Sequence, residues 1–178
     1  FLLFKEIPWW WNGFIASEAV ARARPDGYTE IATVFQTIDL FDTIGFRTDP
    51  GSPGALTLET TGPEPCPPAE NLAWRAARAW LERAGNPFGV ALRLTKDLPA
   101  GAGLGGGSAD AAAVLWALDR VAPVPLGAGA LAELAAGLGA DVPYLLDGGL
   151  ARGTGRADRT EPLADLPPPA EVVAWPGF

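Results

Sequence analysis

Apolar and polar positions change period several times along the chain. A strand runs from Ile31 through Val34 and Phe35, and Thr43-Ile44-Gly45-Phe46 and Ala55-Leu56-Thr57-Leu58-Glu59 read as two more. The last two are expected to run antiparallel across the turn formers Asp49-Pro50-Gly51-Ser52-Pro53-Gly54. The period then lengthens. Leu72, Ala76, Ala79 and Trp80 share one face of a helix expected over Asn71–Ala84, which Gly85-Asn86-Pro87 ends. Val90 to Leu94 is again strand-like, and Ala111-Ala112-Ala113-Val114-Leu115-Trp116-Ala117-Leu118 reads as a helix. A further helix is expected over Ala128–Leu138, stopped by Gly139. Leu150-Ala151-Arg152-Gly153, Thr160 to Leu163 and Val172-Val173-Ala174-Trp175 look like strands around a proline-rich turn. Residues 1–23 form an atypical N-terminal segment with neither alternation nor a stripe. Its adjacent Trp9, Trp10 and Trp11 point in different directions in any regular element.

Strands and helices interleave without regular βαβ alternation, so the class is α+β in two layers, with helices on one side of the sheet. The 178 residues, 48% hydrophobic, suit one domain, 1–178, with a well-buried core. A net charge of −8 argues against a nucleic-acid or anionic-membrane partner, so any phosphate contact must come from local amides and a few cations such as Lys96. With no histidine and the single Cys66, zinc sites and Ser-His or Cys-His hydrolase centres are excluded by inventory. No apolar run is long enough to span a membrane, and Lys5 and Glu6 cut the apolar start short, which points to the cytoplasm. A chain that begins at Phe1 and contains no methionine is expected to be a fragment.

The most informative stretch is Leu98-Pro99-Ala100-Gly101-Ala102-Gly103-Leu104-Gly105-Gly106-Gly107-Ser108-Ala109-Asp110. Glycines there can adopt positive φ and turn successive N–H groups toward one point, where a helix start adds unpaired donors and its dipole. Phosphate is the natural occupant. A flexible linker does not fit between a strand and a helix. The dinucleotide fingerprint fails because Pro99 interrupts the strand-to-turn passage and Asp119 closes a helix. A P-loop needs lysine where Gly107 stands. Ser108 is placed as a helix cap or as a phosphate or metal contact.

Pro99, followed after three residues by Gly103-Leu104-Gly105-Gly106-Gly107-Ser108-Ala109, resembles the phosphate loop of the GHMP small-molecule kinases. Pro25 to Ile31 with Val34 to Asp42, then Glu70-Asn71-Leu72, then Leu138 to Tyr144 resemble further family segments in order and spacing. The resemblance runs from about Arg24 to the end of the chain. It implies a ribosomal-protein-S5-like two-layer N-terminal domain, with the family's C-terminal domain absent beyond Phe178. It also implies ATP and Mg²⁺ as cofactors and a small-molecule, cytidine-bearing polyol as acceptor in non-mevalonate isoprenoid biosynthesis. Another member of the family with a different alcohol, or an inactive nucleotide-binding fragment, are the alternatives.

The same resemblance implies roles residue by residue. Pro99, Ala100, Gly101, Ala102, Gly103, Leu104, Gly105, Gly106, Gly107, Ser108 and Ala109 surround the phosphates; Asn71 and Lys96 flank adenine and phosphate. Taken alone, Asn71 reads as a helix cap and Lys96 as a solvated strand-end charge. Tyr28 stacks on the base, beside Thr29, which stands where the family carries a base-reading histidine. Asp141 is the proton acceptor, expected to be held ionised by the helix that Pro143 starts; taken alone it reads as a cap of that helix. Asp110 and Asp147 are weaker candidates. The family's catalytic lysine position falls near Gly13, with Lys5 the nearest lysine.

Overall fold

Alternation of buried and exposed side chains runs cleanly along the central strand of one sheet, where Val90, Leu92 and Leu94 are buried and Arg93 is exposed. The computed structural model describes residues 2–3, 14–23, 29–38, 40–62, 66–98, 103–155 and 159–164, with side chains described from residue 34 onward. The described elements begin with β1 (Leu2–Leu3), β2 (Phe14–Ala23), β3 (Thr29–Thr37), β4 (Thr43–Asp49), β5 (Leu56–Thr61), α1 (Leu72–Arg83) and β6 (Gly89–Thr95). They continue with α2 (Gly106–Val121), α3 (Ala128–Leu138), α4 (Val142–Asp147), β7 (Leu150–Thr154) and β8 (Arg159–Pro162). The expected strand at Val172 to Trp175 lies outside the described residues.

The strands divide between two four-stranded sheets, ordered β1-β4-β6-β5 and β2-β3-β7-β8. Although β4 and β5 flank the expected turn, they do not pair with each other. β6 lies between them, antiparallel to β4 and parallel to β5. Two parallel strands need a crossover, and α1 supplies it, so β5-α1-β6 is one βαβ unit inside a mixed sheet. In the second sheet, β2 arises from the segment in which no periodicity is visible, and pairs with β3 from Phe14↔Thr37 to Ala23↔Thr29 across a register shift between Ala16 and Ala19.

The helices close the core through small residues. On α1 the buried positions are Ala73, Ala76, Ala77, Trp80 and Leu81. The buried face is thus rotated from the expected one, leaving Leu72 and Ala79 half-buried at its margin. Ala111 and Ala112 on α2 are fully buried, and such short side chains let α1 and α2 approach closely. Trp80 stacks on Phe88 with ring centroids 5.8 Å apart. Phe35 of β3 meets Tyr144 of α4 at 4.8 Å and ties the second sheet to the helices.

One buried polar residue joins these layers. The Asp119 carboxylate near the end of α2 accepts from Trp80 Nε1 (3.2 Å) and from the N–H groups of Leu126 (2.6 Å) and Gly127 (3.3 Å). It therefore satisfies the indole and the turn into α3 together. No helix among the described residues is long and apolar enough to cross a membrane. Replacing Asp119 by Ala strands these donors and is expected to lower unfolding stability by about 2–4 kcal/mol. Urea unfolding checks this, and an unchanged midpoint contradicts the role.

Candidate functional site

Gly103 and Gly105 adopt left-handed backbone angles, φ 73° and 66°, which side chains resist and glycine does not. Gly105 is the N-cap of α2, and the bond from Ala109 N–H to the Gly105 carbonyl (2.9 Å) opens the helix. The helix thus starts well before the expected alanine run, with Gly106, Gly107 and Ser108 as its first turn. Ser108 is not the cap, as Gly105 takes that position without a side-chain bond. The N–H groups of Gly106, Gly107 and Ser108 precede the first intrahelical bond and carry the positive end of a 16-residue helix.

Beneath this helix start lies a buried charge cluster. Lys96, just after β6, donates from Nζ to Asp42 Oδ2 and to Asp110 Oδ2, the latter at 2.9 Å. The other Asp42 oxygen accepts from the N–H groups of Asp97 (2.7 Å) and Leu98 (2.9 Å). The Asp42 side chain is 1% exposed and that of Lys96 15%. The expectation of a solvated strand-end charge at Lys96 is therefore overturned: the side chain turns inward because two carboxylates there need a cation. Burial pulls the Lys96 ammonium down, but Asp110 and Asp42 more than offset it, and its pKa rises above the ordinary lysine value. Burial pushes the Asp110 carboxyl up to about 7, with Lys96 pulling against it and Asp42 adding to it.

Gly106 marks where the cluster and the glycine segment meet. A Cβ on Gly106 would lie 3.3 Å from Asp42 Oδ2 and 3.1 Å from Leu98 Cδ1, tighter than ordinary contact. A side chain there would make Leu98 or Asp42 give way by a few tenths of an ångström. A Cβ on Gly107 would lie 3.7 Å from Leu72 Cδ1, so the start of α1 stands beside the start of α2. Asn71 is the N-cap of α1, accepting on Oδ1 from Ala73 N–H at 2.9 Å. Sequence and structure thus agree on its capping role, beside the glycine segment.

Asp141 is the N-cap residue of α4, with Pro143 in the first turn, as expected. Its backbone is already helical (φ −85°, ψ −19°) and its side chain makes no cap bond. Burial raises its pKa, and the helix start, expected to hold it ionised, gives it no cap bond. A half-buried carboxylate that does not reach its helix's amides is governed by desolvation. Tyr144, one turn on, anchors α4 by donating to the Gly149 carbonyl at 2.6 Å, and α4 packs against α2, the helix that carries the glycine segment.

Pro99, Ala100, Gly101, Ala102 and Tyr28 lie outside the described residues, as do Lys5 and Gly13. Thr29 is the first residue of β3, paired with Ala23. Leu104 is buried and Ala109 half-buried. Asp147 closes α4. Sequence reasoning placed Asp42 in a motif without giving it a role; its partners are distant along the chain and only folding brings them together. A groove elsewhere is lined by residues within α1 and α3, including Trp74, Arg78, Glu133 and Leu134.

Residues 71–149 match the family described as GHMP kinases N terminal domain. The chain is 44% identical over 155 residues to the 4-diphosphocytidyl-2-C-methyl-D-erythritol kinase of Pelotomaculum thermopropionicum, covering 87% of this chain and 53% of that protein. It is 47% identical over 155 residues to the kinase of the same name from Thermus thermophilus, covering 87% and 52%. A crystal structure of 4-(cytidine 5'-diphospho)-2C-methyl-D-erythritol kinase superposes with a TM-score of 0.72 at 42% identity, covering 86% of this chain and 53% of that one. A mevalonate kinase structure, at 13% identity and a TM-score of 0.58 over 74% of this chain and 49% of that one, shows the shared fold. The chain spans about half the length of the curated relatives it matches.

The Asp110 carboxyl carries a testable sign. Its folded pKa, about 7, lies above the ordinary 3.8. The folded state therefore holds the proton that the unfolded chain releases, and this contribution to stability is lost as pH rises through the window between the two values. Asp110→Asn removes the titration. The melting temperature of the variant relative to the parent chain is expected to climb from pH 5 to pH 8; a constant difference contradicts the raised value.

Proposed function

We propose that this chain, whose residues 71–149 match the GHMP kinases N terminal domain and whose fold matches a solved kinase of that kind, binds ATP and transfers the γ-phosphoryl group to the 2-hydroxyl of 4-diphosphocytidyl-2-C-methyl-D-erythritol. The observation that carries the reading is the start of α2: two left-handed glycines, then Gly106, Gly107 and Ser108 with N–H groups ahead of the first helical bond. Phosphoryl transfer asks a protein mainly for positioning and charge neutralisation, which such donors supply without reorganisation. In this reading Gly103 to Ser108 hold the β- and γ-phosphates, with Pro99 to Ala102 and Ala109 completing the cradle. Asn71 borders adenine, and Tyr28 and Thr29 face the cytosine.

Asp141 is the proton acceptor in this account. Its half-buried carboxylate, with affinity for protons raised by desolvation and no cap bond to its own helix, suits late transfer from the acceptor hydroxyl. Mg²⁺ takes oxygen ligands, one or two of them carboxylates and the rest phosphates and water. Because Lys96 engages Asp42 and Asp110, the ion would be held chiefly by phosphate oxygens and water, with the Ser108 hydroxyl in the first turn of α2 as the protein oxygen that fits it. When bound, Mg²⁺ neutralises phosphate charge. A cytoplasmic location belongs to the same reading and is supported by the lone, exposed Cys66.

A second reading is nucleotide binding without turnover. It is favoured by Gly13 at the family's lysine position and Thr29 at that of its histidine. One assay separates the two. ADP release with the cytidine-bearing substrate is expected for the parent chain, and Asp141→Asn is expected to lower kcat by about 100-fold or more with ATP affinity little changed. Equal rates in both chains would remove Asp141 from the chemistry; ATP binding with no ADP release in the parent chain selects the second reading.

A further inference from the structure

We propose that Asp42, Lys96 and Asp110 form a charge-compensated staple that fixes the two ends of the glycine segment, and that Lys96 serves bound phosphate by neutralising carboxylates beneath it without touching it. The ligand rests on the nucleotide-binding reading above, whereas the staple rests on geometry alone.

The Asp42 carboxylate meets the glycine segment at both ends. Its Oδ1 takes the N–H groups of Asp97 and Leu98, where the chain enters. Its Oδ2 lies beneath Gly106, where the chain leaves as helix. Lys96 then ties that oxygen to Asp110 within the first turns of α2. The lysine backbone is held as well, its N–H donating to the Thr61 carbonyl at 2.8 Å. Two of the three ammonium donors are committed to carboxylates, and the side chain is 15% exposed.

The electrostatic consequence is direct. A helix start favours anions through its dipole and free N–H groups, but an uncompensated Asp42 carboxylate below it opposes any phosphate placed above. Lys96 removes that opposition. It is a positioning residue in this account, acting through the loop and the local field. A lysine that instead reached out to the phosphate would leave Asp42 buried as a bare charge, which is strongly unfavourable.

The test combines amide hydrogen exchange on the unliganded chain with calorimetric titration by Mg-ATP and by adenosine. Lys96→Met is expected to speed exchange at Leu98 and at 103–109 by about tenfold with the Trp80 region unchanged, and to weaken ATP about tenfold with adenosine unaffected. Lys96→Met/Asp42→Asn, which removes one charge of each sign and keeps an oxygen to accept from the Asp97 and Leu98 N–H groups, is expected to recover most of the ATP affinity. Unaltered exchange in the single variant, or a double variant that binds ATP no better than the single, overturns the proposal. If Lys96→Met alone does not fold, the double variant decides: folded with near-parental ATP affinity it supports the staple, folded with weak affinity it overturns it. A parent chain that binds no ATP removes the nucleotide reading, and exchange alone then decides the staple.

Discussion

The Asp42 carboxylate, buried to 1% exposure under the first turn of a helix, is the constraint around which this region is organised. A charge taken out of water must be met on every side, and here three groups meet it: the ammonium of Lys96 and the N–H groups of Asp97 and Leu98. Such pairs add little net stability compared with apolar packing, yet losing one partner costs about 3–5 kcal/mol because the other charge is left bare. The cluster thus specifies one arrangement of the chain. That arrangement holds Asp97 and Leu98 at one end of the glycine segment and Gly106 at the other against the same carboxylate.

The rest of the fold brings the necessary elements to that point. The β5-α1-β6 crossover carries Lys96 to the end of the central strand, and the seam of short side chains between α1 and α2 sets the start of α1 against Gly107. Asp119 secures the other end of α2 to Trp80 and to the turn before α3. From α3 the chain enters α4, whose Tyr144 locks it to Phe35 and to the Gly149 carbonyl. The glycine segment at the start of α2 and Asp141 at the start of α4 thus belong to two helices that pack on each other.

Much of this could be read from the sequence because local signals dominate where they are strong. Ala128–Leu138 and its stop at Gly139 follow from periodicity and a terminating glycine, and Asn71 announces the start of α1. Proline after Asp141 places a helix start there. What could not be read depends on partners far along the chain. The insertion of β6 between β4 and β5 is a pairing choice that no turn sequence encodes. β2 takes its strand form from pairing with β3 despite an alanine- and glutamate-containing sequence that lacks alternation. The inward turn of Lys96 depends on Asp42, which sits before β4. The raised pKa of Asp141 was hidden for the same reason, since burial is a tertiary property.

The central claim is that the amides opening α2 grip phosphate. Nitrogen-15 NMR of the chain titrated with Mg-ATP tests it most directly. The account predicts saturable downfield amide-proton shifts, the mark of new hydrogen bonds, at Gly106, Gly107 and Ser108, with smaller shifts at Asn71 and Leu72 and none in the groove between α1 and α3. Saturable shifts at Trp74, Arg78 and Leu134, with the amides of Gly106 to Ser108 unmoved, would contradict it.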